Sequence, residues 1–466
     1  MSLTQTPYSR SAGAAEVKFF VLGYWLFVNR EQSTAKQGTP LRILMANKYL
    51  YARAGAETYM LSVAAELRAR GHHVAFFGMA HPENTTLGPV CAVPALEFGV
   101  RQTQFDALKN IGRAALSSAF GAVQKRLDAF ISEFKPDLIH AHNIYNQLSP
   151  ALFVKHTPHI PVLMTVHDYK PVCPNYSLFT HDKTCTRCLA HGFGECVRNR
   201  CVQGSFFKST LAAASSYFHK QRGTYLRGYH LLIAPSQFLK KQLVAGGIAA
   251  ERVSVLNNFA PAPAAFKSPG ESLLYFGRLC REKGVHTLIE AYAGMPEPRP
   301  LLRIAGEGPL SGELKQLAEK KSLRNIQWLG RISPAEVAME LDACAYSVVP
   351  SVWYENCSMA ILESLARGRA VIASDSGGNP DLVRAGVDGE IFRAGDVEHL
   401  RATLAALFAG GPDALRTRAK QMGLAARQAA LERFSPSGHL DALLERYQAV
   451  SQTVKNGGLE SVGGLA

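Results

Sequence analysis

Residues 41–78 read LRILMANKYLYARAGAETYMLSVAAELRARGHHVAFFG. The run LRILMAN is apolar, a polar loop with Gly55 follows, and Glu57–Arg70 places apolar residues at helical spacing. After Gly71 comes a second apolar run, Val74–Gly78. Strand, helix and strand in this order form the unit of a parallel sheet. The unit recurs: Asp137–His140 (DLIH), Val162–His167 (VLMTVH) and Leu231–Ala234 (LLIA) read as further buried strands ending in polar residues. Ligands of doubly wound sheets collect at the carboxyl ends of strands, where His140, His142 and His167 fall.

A Pro- and Ala-rich stretch, Ala260–Pro269, breaks the composition and reads as a linker. The pattern then restarts, with strands at Leu273–Gly277, Leu301–Ala305, Ile326–Gly330, Tyr346–Pro350 and Ala370–Ser374 and helices at Gly284–Ala293, Leu310–Lys321 and Met359–Arg367. Two successive α/β domains, 41–259 and 260–435, imply an interdomain cleft, the usual place for a ligand. Residues 1–40 are a poorly specified extension, and 451–466 read as a flexible tail.

The chain has 466 residues, 47% hydrophobic and 19% charged, enough for two or three domains with buried cores. That excludes a disordered chain and a small disulfide scaffold. Its net charge of +14 is uneven: residues 41–259 hold 24 basic and 12 acidic side chains, and residues 260–466 hold 23 of each. The excess points to an anionic acceptor or membrane surface on the N-terminal side. A nucleic-acid partner is not expected, since no recognition motif accompanies the charge. Val17–Val28 is too short to span a bilayer and lacks a following cleavage site, so a cytoplasmic protein is expected, with attachment at the inner face of the cell membrane as an option.

The second half carries the sharpest chemistry. Arg278 follows Gly277 at a strand end, and Lys283 stands before Gly284 where a helix begins. Two cations around a helix N-terminus suit a diphosphate, because free N–H groups and the helix dipole add to the fixed charges. Gly306-Glu307-Gly308-Pro309 is a second strand-end glycine turn. In Ser351–Gly368 (SVWYENCSMAILESLARG), Glu355 lies in a loop and Glu363 about two turns into the next helix, so both can face one cavity. Carboxylates accept hydrogen bonds from vicinal hydroxyls of a sugar or a ribose. Asn356, Cys357 and Ser358 form the helix N-terminus between them.

With these motifs the chain resembles the retaining nucleotide-sugar glycosyltransferases of family 4, which have the GT-B fold of two Rossmann-like doubly wound domains. The resemblance rests on Gly55-Ala56-Glu57, the His167 loop, Arg278 with Glu282-Lys283-Gly284, Gly306-Glu307-Gly308-Pro309, the Glu355 and Glu363 pair, Ala370–Val383 and the closing Phe434-Ser-Pro-Ser. It implies a C-terminal domain that binds a nucleoside diphosphate sugar and an N-terminal domain that takes a saccharide or lipid-linked acceptor for a cell-surface glycan. Arg278 and Lys283 would hold the diphosphate, Glu355 the donor sugar and Glu363 the ribose. Gly55 would let the first loop approach the phosphate, and His167 would sit near the sugar from the opposing domain. Front-face attack with retention requires neither a protein nucleophile nor a catalytic metal, so no cofactor is required for catalysis. Residues 436–450 would form a helix crossing back to the first domain. The usual glycine after the first Glu is Asn356 here and Cys357 comes next, which leaves the donor sugar open. His140, His142 and Asn143 are candidates for the acceptor side.

Two features lie outside that resemblance. Cys173, Cys185, Cys188, Cys196 and Cys201 crowd into an insertion at 173–201. Their spacing suits a structural zinc on Cys185, Cys188, Cys196 and Cys201, with Cys173 as the alternative ligand; buried free thiols or a redox pair compete with it. Residues 105–134 read as a basic amphipathic helical region, either packed on the core or lying on an anionic leaflet. The competing functions are a catalytically silent nucleotide-sugar-binding or scaffold subunit and a nucleotide-sugar epimerase on the same fold.

Overall fold

The computed structural model describes residues 39–94, 117–145 and 148–457. The apolar runs become strands β1 (Arg42–Ala46), β2 (His73–Met79), β3 (Val90–Val93), β4 (Leu138–Ala141) and β5 (Val162–Thr165). A small antiparallel hairpin, β6 (Phe179–Thr180) and β7 (Lys183–Thr184), precedes β8 (Leu231–Ala234) and β9 (Val253–Val255). The N-terminal sheet is parallel, in the order β3-β2-β1-β4-β5-β8-β9. The order reverses between β1 and β4, as in a doubly wound sheet, whose crevice lies at that reversal.

The second sheet, also parallel, is built from β10 (Ser272–Phe276), β11 (Leu302–Ala305), β12 (Ile326–Gly330), β13 (Cys344–Val349), β14 (Ala370–Ser374) and β15 (Gly389–Phe392), in the order β12-β11-β10-β13-β14-β15. It reverses between β10 and β13, so the loops after these two strands flank its crevice. Residues 256–271 carry no regular element.

The helices that matter to the site are α1 (Gly55–Ala69), α2 (Ser117–Phe134), α3 (Phe206–Gln221), α4 (Val285–Ala293), α5 (Pro334–Ala343), α6 (Met359–Ala366) and α7 (Pro436–Lys455). Helix α7 starts at a cap in which Ser435 accepts from the Gly438 N–H, with Pro436 in the first turn, where its missing N–H costs nothing. It buries Leu440, Leu443, Tyr447 and Val450 among Ile43, Met45, Leu163 and Ile233 of the N-terminal core. The guanidinium of Arg446 fastens it by donating to Ser254 Oγ at 2.9 Å and to the Val255 carbonyl at 2.9 Å. The helix runs to Lys455, five residues past the boundary read from sequence, and its last buried residue is Val450.

In the described part of α2, Leu127, Ile131 and Phe134 enter the N-terminal core. That portion is a core-packed helix, which answers the membrane alternative for residues 121–134; residues 95–116 lie outside the described chain. So do residues 1–38 and 458–466.

Candidate active site

The loops after β10 and β13 meet backbone to backbone. Gly284 has φ +66°, and a Cβ there would stand 1.9 Å from the Pro350 carbonyl oxygen. At Gly306, with φ +141°, a Cβ would lie 1.8 Å from the Gly277 carbonyl oxygen. Only glycine permits these approaches. The first of them sets Lys283 beside Glu355, Nζ to Oε1 2.6 Å.

Glu355 is 5% exposed and also accepts from Ser351 Oγ at 2.6 Å. Burial opposes its ionisation, but the Lys283 ammonium and the Ser351 hydroxyl outweigh burial and hold the carboxyl below its usual range. The Lys283 ammonium also lies 5.4 Å from the centre of the Trp353 ring. Arg278 projects into solvent and, among the described residues, its guanidinium pairs with Glu282 at 3.1 Å. Glu307 is exposed, and its carbonyl accepts from the Leu279 N–H at 3.0 Å. The loop carrying Glu355 is pinned from β14: Ser374 Oγ donates to the Ser351 carbonyl at 2.7 Å and Ser376 Oγ to the Trp353 carbonyl at 2.6 Å. Next to Glu355, both amide atoms of Asn356 are buried without a protein partner. Such atoms ordinarily find a ligand or water. The Cys357 thiol is pushed up to about 12 by burial, so it is neutral. Ser358 caps α6 without using its hydroxyl.

Glu363 has different surroundings. It lines a cavity of about 190 Å³ with Ile332, Val337, Leu341 and Pro261. Its carboxylate has no partner among the described residues, and burial pushes it up to about 7. The two carboxylates, expected on one cavity, thus have different immediate neighbours. Glu355 is turned to Lys283 at the strand-end loops, whereas Glu363 opens onto the groove between α5 and α6.

On the opposing domain, His167 shares a hydrogen bond with His142, Nε2 to Nδ1 3.0 Å, and meets Tyr59 edge-on at 5.2 Å. Burial lowers the His167 imidazole to about 3, so it is neutral at pH 7. Asp168 beside it is pushed up to about 6, also by burial. The two domains touch. The Tyr169 hydroxyl donates to the Tyr354 carbonyl at 3.3 Å, the Gln237 N–H donates to Asp381 at 2.6 Å, and Phe238 and Tyr354 pack at 4.6 Å. A Cβ on Gly55 would come within 3.8 Å of Met359 at the start of α6. Gly55 thus sits against the helix that follows Glu355.

Two family profiles match consecutive parts of the chain, Glycosyltransferase Family 4 at residues 53–261 and Glycosyl transferases group 1 at 259–428. The chain belongs to glycosyltransferase family 4. It is 33% identical over 192 residues to an alpha-maltose-1-phosphate synthase of Mycolicibacterium smegmatis, covering 38% of this chain and 47% of that one. To a putative colanic acid biosynthesis glycosyltransferase of Escherichia coli it is 30% identical over 168 residues, 34% of this chain and 41% of the other. The chain thus spans about half the length of the curated relatives it matches. Anabaena HepE, solved with UDP-glucose, superposes with a TM-score of 0.59 at 19% identity over 87% of this chain and 99% of that one, which shows the GT-B fold.

Within this GT-B frame, sequence reasoning placed Arg278, Lys283, Glu355 and Asn356 on the loops that now surround one crevice. It missed Ser351, Trp353, Ser374 and Ser376, which hold Glu355 in place. The strand-end serines were the available signal. His140 is corrected: it is fully buried, bonded to Tyr447 OH at 2.7 Å and Thr165 Oγ1 at 2.8 Å, and ties the sheet to α7 instead of meeting an acceptor. His142 is buried behind His167. Asn143 keeps an unpartnered side-chain oxygen, while its N–H donates to Asn47.

All nine cysteines are free, and among the described residues no group of three or more His, Cys, Asp or Glu side chains is arranged to hold a metal. Within the insertion the thiols lie near one another and near Arg187. Arg187 Nε donates to Cys185 Sγ at 3.4 Å, and the Cys201 thiol is held below its usual range chiefly by its hydrogen bond with Cys196. Asp182, in the turn of the same insertion, reaches across the cleft to Arg281 at 3.7 Å.

Proposed function

We propose that the chain transfers a sugar from a nucleoside diphosphate sugar to a saccharide or lipid-linked acceptor in the assembly of a glycan, with retention and without a catalytic metal. The observation that carries the reading is the pairing of Lys283 with buried Glu355 at the strand-order reversal of the second sheet, where doubly wound proteins bind nucleotides, with Arg278 on the same loop after β10. Family membership supports it, and so does the solution of HepE with UDP-glucose.

In this mechanism the diphosphate lies on the loop ends of β10 and β11, against Gly277, Gly306 and Glu307. Arg278 and Lys283 neutralise the charge that grows on the leaving phosphate, which is a large catalytic term in a water-poor site. Two side-chain cations then occupy the role a metal would play. Glu355, kept ionised, accepts hydrogen bonds from donor-sugar hydroxyls, and the unpartnered amide of Asn356 supplies further contacts, with Cys357 and Ser358 at the helix start. Glu363 accepts from the ribose hydroxyls. The acceptor hydroxyl attacks the anomeric carbon on the face the diphosphate leaves, the glycosidic C–O bond to phosphate breaks, and the proton passes to the departing phosphate oxygen. Neutral His167 faces the donor from the opposing domain and orients it without adding charge.

A silent nucleotide-binding subunit would bind the same donor and turn nothing over. The deciding experiment incubates the protein with labelled nucleotide sugars and follows sugar release and transfer. Slow donor hydrolysis abolished in Glu355→Gln supports the transferase, and binding without release in the wild type would overturn it.

A further inference from the structure

Helix α3 is built inside out. Its buried residues are Ser209, Ala213 and Ser216. Its outer stripe carries Phe206, Phe207, Tyr217 and Phe218, exposed by 61%, 46%, 40% and 48%. An ordinary amphipathic helix turns such rings inward, and a contiguous exposed apolar face marks an interaction site. Positions 206 and 218 are twelve residues apart, which places the two aromatic pairs about 18 Å from one another along the axis. A helix so equipped lies flat on what it binds.

The charge around it has one sign. Residues 196–250 contain eight Lys and Arg and no Asp or Glu. Among the described residues, Lys208, Lys220, Arg222 and Arg227 pair with no carboxylate, and the Arg222 guanidinium sits 4.8 Å over the Phe218 ring. Unpaired cations rimming exposed aromatics fit a planar, anionic, partly apolar partner, because the rings enter the acyl boundary while the cations meet headgroup phosphates. A protein interface would bring acidic partners of its own, and a neutral surface would leave these cations unanswered.

We infer that α3 is the surface by which the protein docks on an anionic lipid bilayer, lying parallel to it. Docking is independent of the transferase reading. Its consequence for catalysis rests on that reading: Ser215, Ser216 and His219 on the inner side of α3 share a small cavity with Lys170 and Pro171, three and four residues after His167. Docking through α3 therefore sets the His167 side of the cleft next to the membrane, where a lipid-linked acceptor would present its sugar.

The test sediments the full chain with phosphatidylcholine vesicles and with vesicles half phosphatidylglycerol, at low and raised salt. The wild type pellets with anionic vesicles only, and salt releases part of it. The Phe206→Ser, Phe207→Ser, Tyr217→Ser, Phe218→Ser variant loses at least about tenfold in partitioning. Lys220→Glu, Arg222→Glu, Arg227→Glu removes the lipid preference. Both variants keep the melting temperature shift produced by nucleoside diphosphate, which separates lost docking from lost fold and from the donor site. The inference is overturned if the wild type ignores anionic vesicles or if the aromatic variant binds them as well as the wild type. It is equally overturned if the aromatic stripe proves to hold a dimer in sedimentation velocity runs while vesicles have no effect.

Discussion

Two carboxylates eight residues apart sit in opposite electrostatic regimes. Glu355, between Lys283 and Ser351, is held ionised, whereas Glu363, in an apolar groove between α5 and α6, has no partner among the described residues and is pushed up to about 7 by burial. The difference teaches which end of the crevice is finished before a ligand arrives. The phosphate and sugar end is already an assembled charge network. The groove end holds a partly exposed carboxylate, unpartnered among the described residues, that can accept a hydrogen bond from a ligand.

The contrast is broken most strongly at Glu355. Glu355→Gln keeps the shape and removes the charge, and transfer should fall by about 10²–10³-fold while nucleotide affinity stays within about threefold, by titration calorimetry beside initial rates. A comparable loss of nucleotide binding would place Glu355 on the nucleotide instead. At the other end, Glu363→Gln should weaken nucleotide binding by about tenfold, the worth of a hydrogen bond to a charged group.

The pH windows should separate as well. Glu363 is raised from its ordinary 4.5 to about 7, so the empty protein gains stability from protonated Glu363 at low pH and loses it as pH rises from 4.5 through 7. Nucleotide binding, which uses the carboxylate, should tighten over that same window, and Glu363→Gln should flatten both trends in melting and titration series. Glu355 is lowered, so its contribution is present above 4.5 and is lost as the pH falls below that value. Acid unfolding of Glu355→Gln should therefore be shallower. The smallest effect belongs to the far side of the cleft. Tyr447→Phe removes the bond to His140 and should cost about 1 kcal/mol in denaturant unfolding, leaving transfer rates unchanged.

The parts legible in sequence were those whose signal is local. LRILMAN, VLMTVH and LLIA are continuous apolar runs, and the resulting strands match them to within about two residues at each end. The edge strands β3, β9 and β15 were not seen; they are three or four residues long and only partly buried, unlike the fully buried LLIA. Helix α5 went unread although Ser333 and Glu336 form a capping box, a signature available in the sequence. Helix α3 was hidden by its inverted pattern, since periodicity arguments assume that large apolar side chains face the core. At the site, Arg278, Lys283 and Glu355 were readable because strand-end loops concentrate function. The duty of His140 was not, because its partner Tyr447 is 307 residues away and arrives only when α7 crosses between domains. Nor could spacing reveal that Glu355 and Glu363 face different surroundings, since that depends on Gly284 drawing Lys283 against the β13 loop.

The central claim, that the crevice between β10 and β13 is a nucleoside diphosphate sugar site with a charged end and an apolar end, is tested most directly by titration calorimetry with nucleoside diphosphate. Wild type, Lys283→Ala and Glu363→Gln would be compared at pH 6 and pH 8. The account predicts tighter binding at pH 8 for the wild type, a loss of at least about tenfold in Lys283→Ala at both pH values, and in Glu363→Gln a smaller pH dependence, that of the nucleotide's own phosphate. Equal affinity in all three proteins, or no binding by the wild type, would contradict it.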